Sequence, residues 1–289
     1  MTGMTPHDIA AIVVLYRPDA AVVGNLRATA AQVERVFAID NTEQPDDALA
    51  WALRTVPDLS YVALGDNLGI AAALNAGVER ARDAGYSWVL TMDQDSTPDE
   101  DMVAVLSRCV VSCQKDVRIG IMSPVQVQEG SGEPEKRHGC ISVLTAITSG
   151  DLLSIEAWDN VGRFDEGLFI DQVDHDICLR MRRDGWDVLR CSGTRLLHRL
   201  GDTVQHRFIH AFNVSNHSAL RRYYITRNRF EVSRRFQQDF PEFRRREMRS
   251  LRRELVKIVF YERHKAAKLL MSWRGYLDYR RGVTGPYKR

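Results

Sequence analysis

The sequence lacks both common glycine-based devices for gripping phosphate. There is no GxGxxG after its first apolar run, and no GxxxxGK followed by Ser or Thr anywhere. These absences argue against dinucleotide-binding dehydrogenases and P-loop phosphotransferases. Also missing is any apolar run near the ~18 residues that a membrane span needs. Residues Met1 to Asp8 carry no apolar core of a secretory signal. The expectation is a soluble, cytoplasmic body. Cysteine is sparse: Cys109, Cys113, Cys140, Cys178 and Cys191 make an odd set with no CxxC pair. Their spacing suggests neither a disulfide framework nor a zinc site and reads as buried, reduced thiols.

Net charge is nearly absent at +2, but the balance is uneven. From Pro241 to Arg289 there are 15 basic and 5 acidic residues, a net of +10, leaving −8 on the rest. An acidic body with a basic tail points to an anionic surface or ligand for the tail.

What is present is alternation. Ile9–Leu15, Arg35–Asp40, Leu59–Leu64, Ser87–Met92 and Val117–Ser123 are apolar runs of strand length. Between them, Asp19–Val33, Asp47–Thr55, Leu68–Ala84 and Asp99–Ser112 carry helical periodicity. This rhythm predicts an α/β fold with a mostly parallel sheet flanked by helices. After Pro124 the pattern changes. Gln128–Gly139 reads as an exposed loop and Ile141–Leu153 as β-like. Val173–Gly185 reads as a helix, and Trp186–Cys191 and Arg195–Leu200 as short strands. From about Ser215 the chain reads as helical.

Ligands of such sheets bind at the carboxyl ends of the strands. The residues there are Tyr16, Asp40-Asn41, Gly65-Asp66-Asn67 and Asp93-Gln94-Asp95. Two carboxylates at i and i+2 can hold a hard divalent ion that completes its shell with diphosphate oxygens. Further acids cluster in Asp171-Gln172-Val173-Asp174-His175-Asp176, and His198 ends an apolar run.

Taken in order, these segments resemble the family 2 glycosyltransferases of the GT-A (Rossmann-like) fold, and among them bacterial dTDP-rhamnosyltransferases of surface polysaccharide (O-antigen, lipopolysaccharide) synthesis. The matching pieces are Tyr16 with Pro18, Ile39-Asp40-Asn41, Asn67-Leu68-Gly69-Ile70-Ala71, Met92-Asp93-Gln94-Asp95-Ser96, Phe169-Ile170-Asp171 with Val173-Asp174, His198 with Gly201-Asp202, and Arg222-Tyr223-Tyr224 with Arg227-Asn228. They span about residues 9–230.

The resemblance implies roles. Tyr16, Asp40, Asn67, Gly69, Asp93, Arg222 and Arg227 would bind the donor, with Asp40 on the pyrimidine. Asp93, Asp95 and His198 would hold Mn2+ or Mg2+. Asp174 would be the catalytic base, with Asp171 able to share that role, because Val173 stands where the family often has a first acid. The implied reaction is inverting transfer of L-rhamnose from dTDP-L-rhamnose to a saccharide acceptor on an undecaprenyl lipid. Another donor, such as a UDP-linked hexose or galactofuranose, stays open. So do a homodimer and, as a non-enzymatic alternative, a nucleotide-sugar-binding protein without catalysis. A nucleotidylyltransferase would need a glycine-rich loop where Tyr16-Arg17-Pro18 stands.

The domain expectation is a catalytic domain over 1–214 and a helical basic extension over 215–289. The nucleotide-binding part would cover about 8–125 and the acceptor and catalytic part about 126–214. In the extension, Arg244-Arg245-Arg246, Arg249, Arg252-Arg253 and Lys257 alternate with apolar residues. That pattern suits an anionic bilayer and implies a peripheral position on the inner face of the cytoplasmic membrane.

Overall fold

Apolar runs of five to seven residues are too short for buried helices and form strands. In the computed structural model, which describes residues 8–128, 139–198, 203–208 and 210–288, Ile9–Leu15 is β1 and is buried along its whole length. Burial on both faces is what a parallel strand covered by helices requires. There follow α1 (Val22–Ala30), β2 (Arg35–Asp40), α2 (Asp47–Leu53), β3 (Leu59–Ala63), α3 (Ile70–Asp83), β4 (Trp88–Asp93), β5 (Ser96–Pro98) and α4 (Met102–Cys113). Then come β6 (Ile119–Gln128), β7 (Cys140–Ser142), β8 (Asp151–Ser154), α5 (Ile155–Asn160), α6 (Val173–Arg183) and β9 (Asp187–His198).

These strands form one sheet in the order β3-β2-β1-β4-β8-β6-β9-β5, with β7 paired to β9. The half containing β3, β2, β1 and β4 is wholly parallel. The sheet that the alternation predicts is present. Beyond β4 the pairing is mixed: β8 runs antiparallel to β4 and β6, and β5 and β7 run antiparallel to β9. Ile141–Leu153, expected as one β-like stretch, contributes only the short β7 and the start of β8. The two strands expected over Trp186–Cys191 and Arg195–Leu200 are one, β9. Its polar Ser192-Gly193-Thr194 is absorbed where the β6–β9 register shifts. The loop expected over Gln128–Gly139 falls almost wholly outside the described residues.

The chain divides into two compact units, Met1–Glu166 with Asp174–Arg199, and Gly167–Val173 with Leu200–Arg289. The sheet belongs to the first. The second holds an antiparallel hairpin that the sequence reading did not foresee, β10 (Thr203–Phe208) and β11 (His210–Ser215). It also holds α7 (Ala219–Arg235), α8 (Pro241–Tyr261) and α9 (Lys265–Arg280).

The interior of this helical unit is ionic. Arg222 pairs with Glu254 at 2.8 Å and with Glu262, which also binds Lys268 at 2.8 Å. Arg229 joins Glu247 at 3.1 Å and Glu254 at 2.8 Å. The side chains of Arg222, Glu262 and Lys268 are only 5%, 1% and 3% exposed. Arg222, Arg229 and Lys268 therefore lie inside, each with a carboxylate partner as burial demands, whereas Arg244, Arg245, Arg246, Arg249, Arg252 and Arg253 are exposed.

All five cysteines are free and buried or half-buried, as expected of reduced thiols, but their clustering was not expected. Cys178 is buried in α6, whereas the other four gather where α4 meets β7 and β9. There the hydrogen bond from Cys109 pulls the Cys191 thiol below its ordinary range, while Cys191 and burial push Cys109 up.

Candidate active site

The carboxyl ends of β1, β2 and β4 lie side by side in the parallel half of the sheet. At the β2 exit Asp40 is 3% exposed. Its Oδ1 accepts the Thr42 N–H at 3.0 Å, and its Oδ2 accepts the Tyr61 hydroxyl at 2.7 Å. Burial and this bond hold the Tyr61 hydroxyl well above its ordinary pKa. Asn41 reaches across to the start of α3. Its Nδ2 donates to Asn67 Oδ1 at 3.1 Å, and its Oδ1 accepts the Leu68 N–H at 2.8 Å. Asn67 Oδ1 also accepts the Gly69 N–H. Gly69 has φ +89°, a conformation L side chains rarely adopt, and sits at the N-cap of α3.

The Asp93-Gln94-Asp95 turn is fastened from three sides. Gln94 uses both ends of its amide on the backbone of Tyr16, accepting its N–H at 2.8 Å and donating to its carbonyl at 3.2 Å. Asn25 Nδ2 holds the Gln94 carbonyl at 2.8 Å. Ser149 accepts the Asp93 N–H at 3.1 Å and donates to Ser96 Oγ at 2.9 Å. Asp93 is half-buried and Asp95 exposed. The β5–β9 register sets His198 opposite Ser96, the neighbour of Asp95; the His198 side chain lies outside the described residues.

A third acid, which the sequence reading passed over as part of a strand, lies beside them. Asp151 stands opposite Thr91 in the β4–β8 ladder and is 2% exposed, yet neither carboxylate oxygen has a hydrogen-bond partner. Burial raises its pKa well above the carboxylate range, and the charges of Asp174 and Asp93 raise it further. The turn before it depends on Gly150 (φ +84°), where a Cβ would lie 2.9 Å from Leu196 Cδ2 and 3.0 Å from Pro124 Cγ. Asp174, in the first turn of α6, is half-buried, and its Oδ1 accepts the His175 N–H at 2.8 Å. Asp176, two residues on, is fully buried and committed to Arg180 at 2.7 Å.

Asp93, Asp151 and Asp174 thus converge in the first unit, and the only sequence signal for Asp151 was an acid set against the apolar Leu152-Leu153. Among the described residues, no three of these carboxylates come within 4.8 Å of one another; the group that does is Cys109, Cys140 and Cys191.

Other sequence candidates lie in the helical unit. Arg227 is buried, giving Nη1 to the Gly285 carbonyl at 2.6 Å and Nη2 to those of Gly167 and Leu168 at 3.1 Å. Asn228 Nδ2 reaches the carbonyls of Leu168, Ile170 and Asp171. Together they hold a segment in which Phe169, Asp171 and Gln172 all have positive φ, a conformation costing of order 1–3 kcal/mol per residue. Asp171 is paired to Arg221 at 3.2 Å. Arg222 and Arg227, expected on the donor, are both engaged with partners inside this unit.

Residues 11–161 match the family model for glycosyl transferase family 2. The dTDP-rhamnosyl transferase RfbF of Shigella flexneri is 30% identical, over 78% of this chain and 80% of that protein. The structure of S. aureus TarS 1–349 in complex with UDP-GlcNAc superposes with a TM-score of 0.64 at 14% identity, covering 97% of this chain and 82% of that 1–349 chain. GalNAc-T7, solved with UDP, GalNAc and Mn2+, gives a TM-score of 0.56 at 13% identity over 69% of this chain, which spans 44% of that protein. The two structures share the fold. With its acids at the exits of a parallel half-sheet and the family match covering β1 to α5, the chain belongs to glycosyl transferase family 2, as a glycosyltransferase of the GT-A fold.

Proposed function

We propose that the chain transfers L-rhamnose from dTDP-L-rhamnose, with inversion, to a saccharide acceptor carried on a lipid. The observation that carries this reading is the 30% identity to a dTDP-rhamnosyl transferase over most of both chains. Convergence of Asp93, Asp151 and Asp174 supports it chemically. Tyr16, Asp40, Asn67, Gly69 and Asp93 make up the donor side. Asp174 takes the proton from the acceptor hydroxyl as the bond to the leaving diphosphate breaks. A direct displacement of this kind turns a β-linked donor into an α-L-rhamnoside.

Hard carboxylate oxygens suit Mg2+ or Mn2+. Asp93 and Asp95, with His198 at the adjoining strand end, are the residues that would hold the ion. Asp151, buried beside Asp93 with two unpartnered oxygens, supports a cation there. The bound ion would neutralise charge on the leaving diphosphate.

An anionic membrane surface is the partner we assign to the helical unit. Phe260, Leu270 and Trp273 are 67%, 66% and 58% exposed, and the exposed Arg253, Arg263, Lys265 and Arg274 lie close to them in sequence. Apolar and aromatic side chains among cations suit the interface of a bilayer. No helix among the described residues is long and apolar enough to cross one.

The test is a panel of nucleotide sugars, with and without Mn2+ or Mg2+, scored by release of nucleoside diphosphate. Metal-dependent turnover with dTDP-L-rhamnose above all others is expected. Turnover with a UDP-hexose instead would reassign the donor, and binding without turnover of any donor would overturn catalysis.

A further inference from the structure

Four of the five cysteines, scattered from residue 109 to 191, meet in the fold. Cys109 and Cys113 are one helical turn apart on α4, a spacing that puts them on one face. Cys140 on β7 and Cys191 on β9 are direct partners in the antiparallel ladder, and Ile141↔Arg190 follows. The sulfurs of Cys109, Cys140 and Cys191 all lie within 4.8 Å of one another, with Cys109 and Cys191 2.7 Å apart. Cys113, one turn further along α4, has its sulfur outside that mutual 4.8 Å group.

From this geometry we propose that Cys109, Cys140 and Cys191, with Cys113 as fourth ligand, form a structural thiolate site for a soft divalent cation, Zn2+. Sulfur ligands select Zn2+ over the hard Mg2+ or Mn2+ suited to carboxylates. With a Zn–S distance of ~2.3 Å, the sulfurs of a tetrahedral site stand roughly 3.8 Å apart. With the three sulfurs inside 4.8 Å of one another, reaching that spacing takes shifts of about 1 Å, an opening of about that size for the Cys109–Cys191 pair, and a swing of Cys113 into the fourth position. Binding exchanges the thiol protons for the cation, with no change of oxidation state. A disulfide between Cys109 and Cys191 would engage only two of the four sulfurs. Reading spacings along the chain misses the site, because two ligands come from one helix and the others from separate strands.

The site would staple α4, which follows the Asp93–Asp95 turn, onto β9, the strand that ends at His198. None of its sulfurs belongs to Asp93, Asp95, Asp151, Asp174 or His198, the residues assigned to sugar transfer. Zinc content can therefore be read independently of sugar transfer.

The experiment uses the full chain purified under reducing conditions. Elemental analysis should find one zinc per chain, and after chelation Co2+ should give the charge-transfer and d–d bands of a tetrahedral thiolate complex. Cys191→Ser and Cys109→Ser should each lower retained zinc at least tenfold, while Cys178→Ser keeps it. The wild-type cobalt spectrum answers the question even if a variant fails to fold. A cobalt spectrum without thiolate charge transfer, zinc retained in both ligand variants, or a Cys109–Cys191 disulfide found by mass spectrometry in the zinc-free protein under reducing conditions would overturn the proposal.

Discussion

Replacing Asp151 with Asn swaps a carboxyl for an amide of nearly equal size and removes its ability to ionise. In the wild-type protein this acid is 2% exposed, without hydrogen-bond partners, and close to the charges of Asp93 and Asp174. Its folded-state pKa is accordingly raised above the ~3.9 of an unfolded chain. Well below pH 4 both states are protonated and the acid adds no pH-dependent cost. As pH rises past that point the unfolded chain ionises while the folded one resists. The wild type then loses up to ~1.4 kcal/mol of stability per pH unit until the raised folded value is reached.

Asp151→Asn has no such slope. Burying its unpartnered amide carries a fixed penalty of about 1–3 kcal/mol, so the change with pH is what matters. Thermal unfolding with chelator present, from about pH 4 to about pH 8, should show the variant gaining steadily on the wild type. At ~2–4 °C or less per kcal/mol for a chain of this size, the relative gain is several degrees. Added Mn2+ or Mg2+ should stabilise the wild type more than the variant. Parallel curves across the whole range would mean that Asp151 is ionised or hydrated in the folded protein, and the assignment would be wrong.

Four further outcomes follow from the same structure. Asp174→Asn should slow transfer by about 10²–10⁴ while leaving donor affinity nearly unchanged; in steady-state kinetics and calorimetry, an equal loss in Asp171→Asn alone would move the base. Gln94→Ala removes two hydrogen bonds to Tyr16, together about 1–3 kcal/mol, and should weaken donor binding in calorimetry more than it lowers the melting temperature. Glu262→Gln leaves Arg222 and Lys268 buried short of a counter-charge and should cost about 3–5 kcal/mol in denaturant unfolding. His217, pulled down to about 4 by burial and by Arg221 and Arg222, contributes stability that is present above pH ~6.5 and lost as pH falls toward 4; His217→Asn should flatten that part of the acid-unfolding curve.

The sheet was legible because each parallel strand is an apolar run and each crossover helix has its own period. β1 and β2 fall on the same residues in both readings. Acids at strand exits were legible for a related reason: a doubly wound sheet puts the ends of neighbouring strands together. Asp151 was not, since it enters on an antiparallel strand whose place between β4 and β6 no local pattern encodes. The cysteine cluster was hidden likewise by long-range pairing of β7 with β9. The partners of the α7 arginines were hidden for a different reason. A guanidinium reads the same whether its partner is a substrate phosphate or Glu254, and only tertiary structure tells the two apart.

The ionic interior of the helical unit bears on how the chain must be made. The guanidinium groups of α7 wait for Glu254, Glu262 and the carbonyl of Gly285, and the Tyr224 hydroxyl accepts the N–H of Tyr287. All of those partners are synthesised after α7. Until Glu254 and Glu262 have been translated, Arg222 and Arg229 lack the carboxylates that take them out of water, and Arg227 and Tyr224 wait longer, for Gly285 and Tyr287. The sheet unit can consolidate while synthesis continues, but the helical unit can close only at the end. A message truncated within α9 would keep Glu254 and Glu262 but deprive Arg227 of the Gly285 carbonyl and Tyr224 of the Tyr287 N–H.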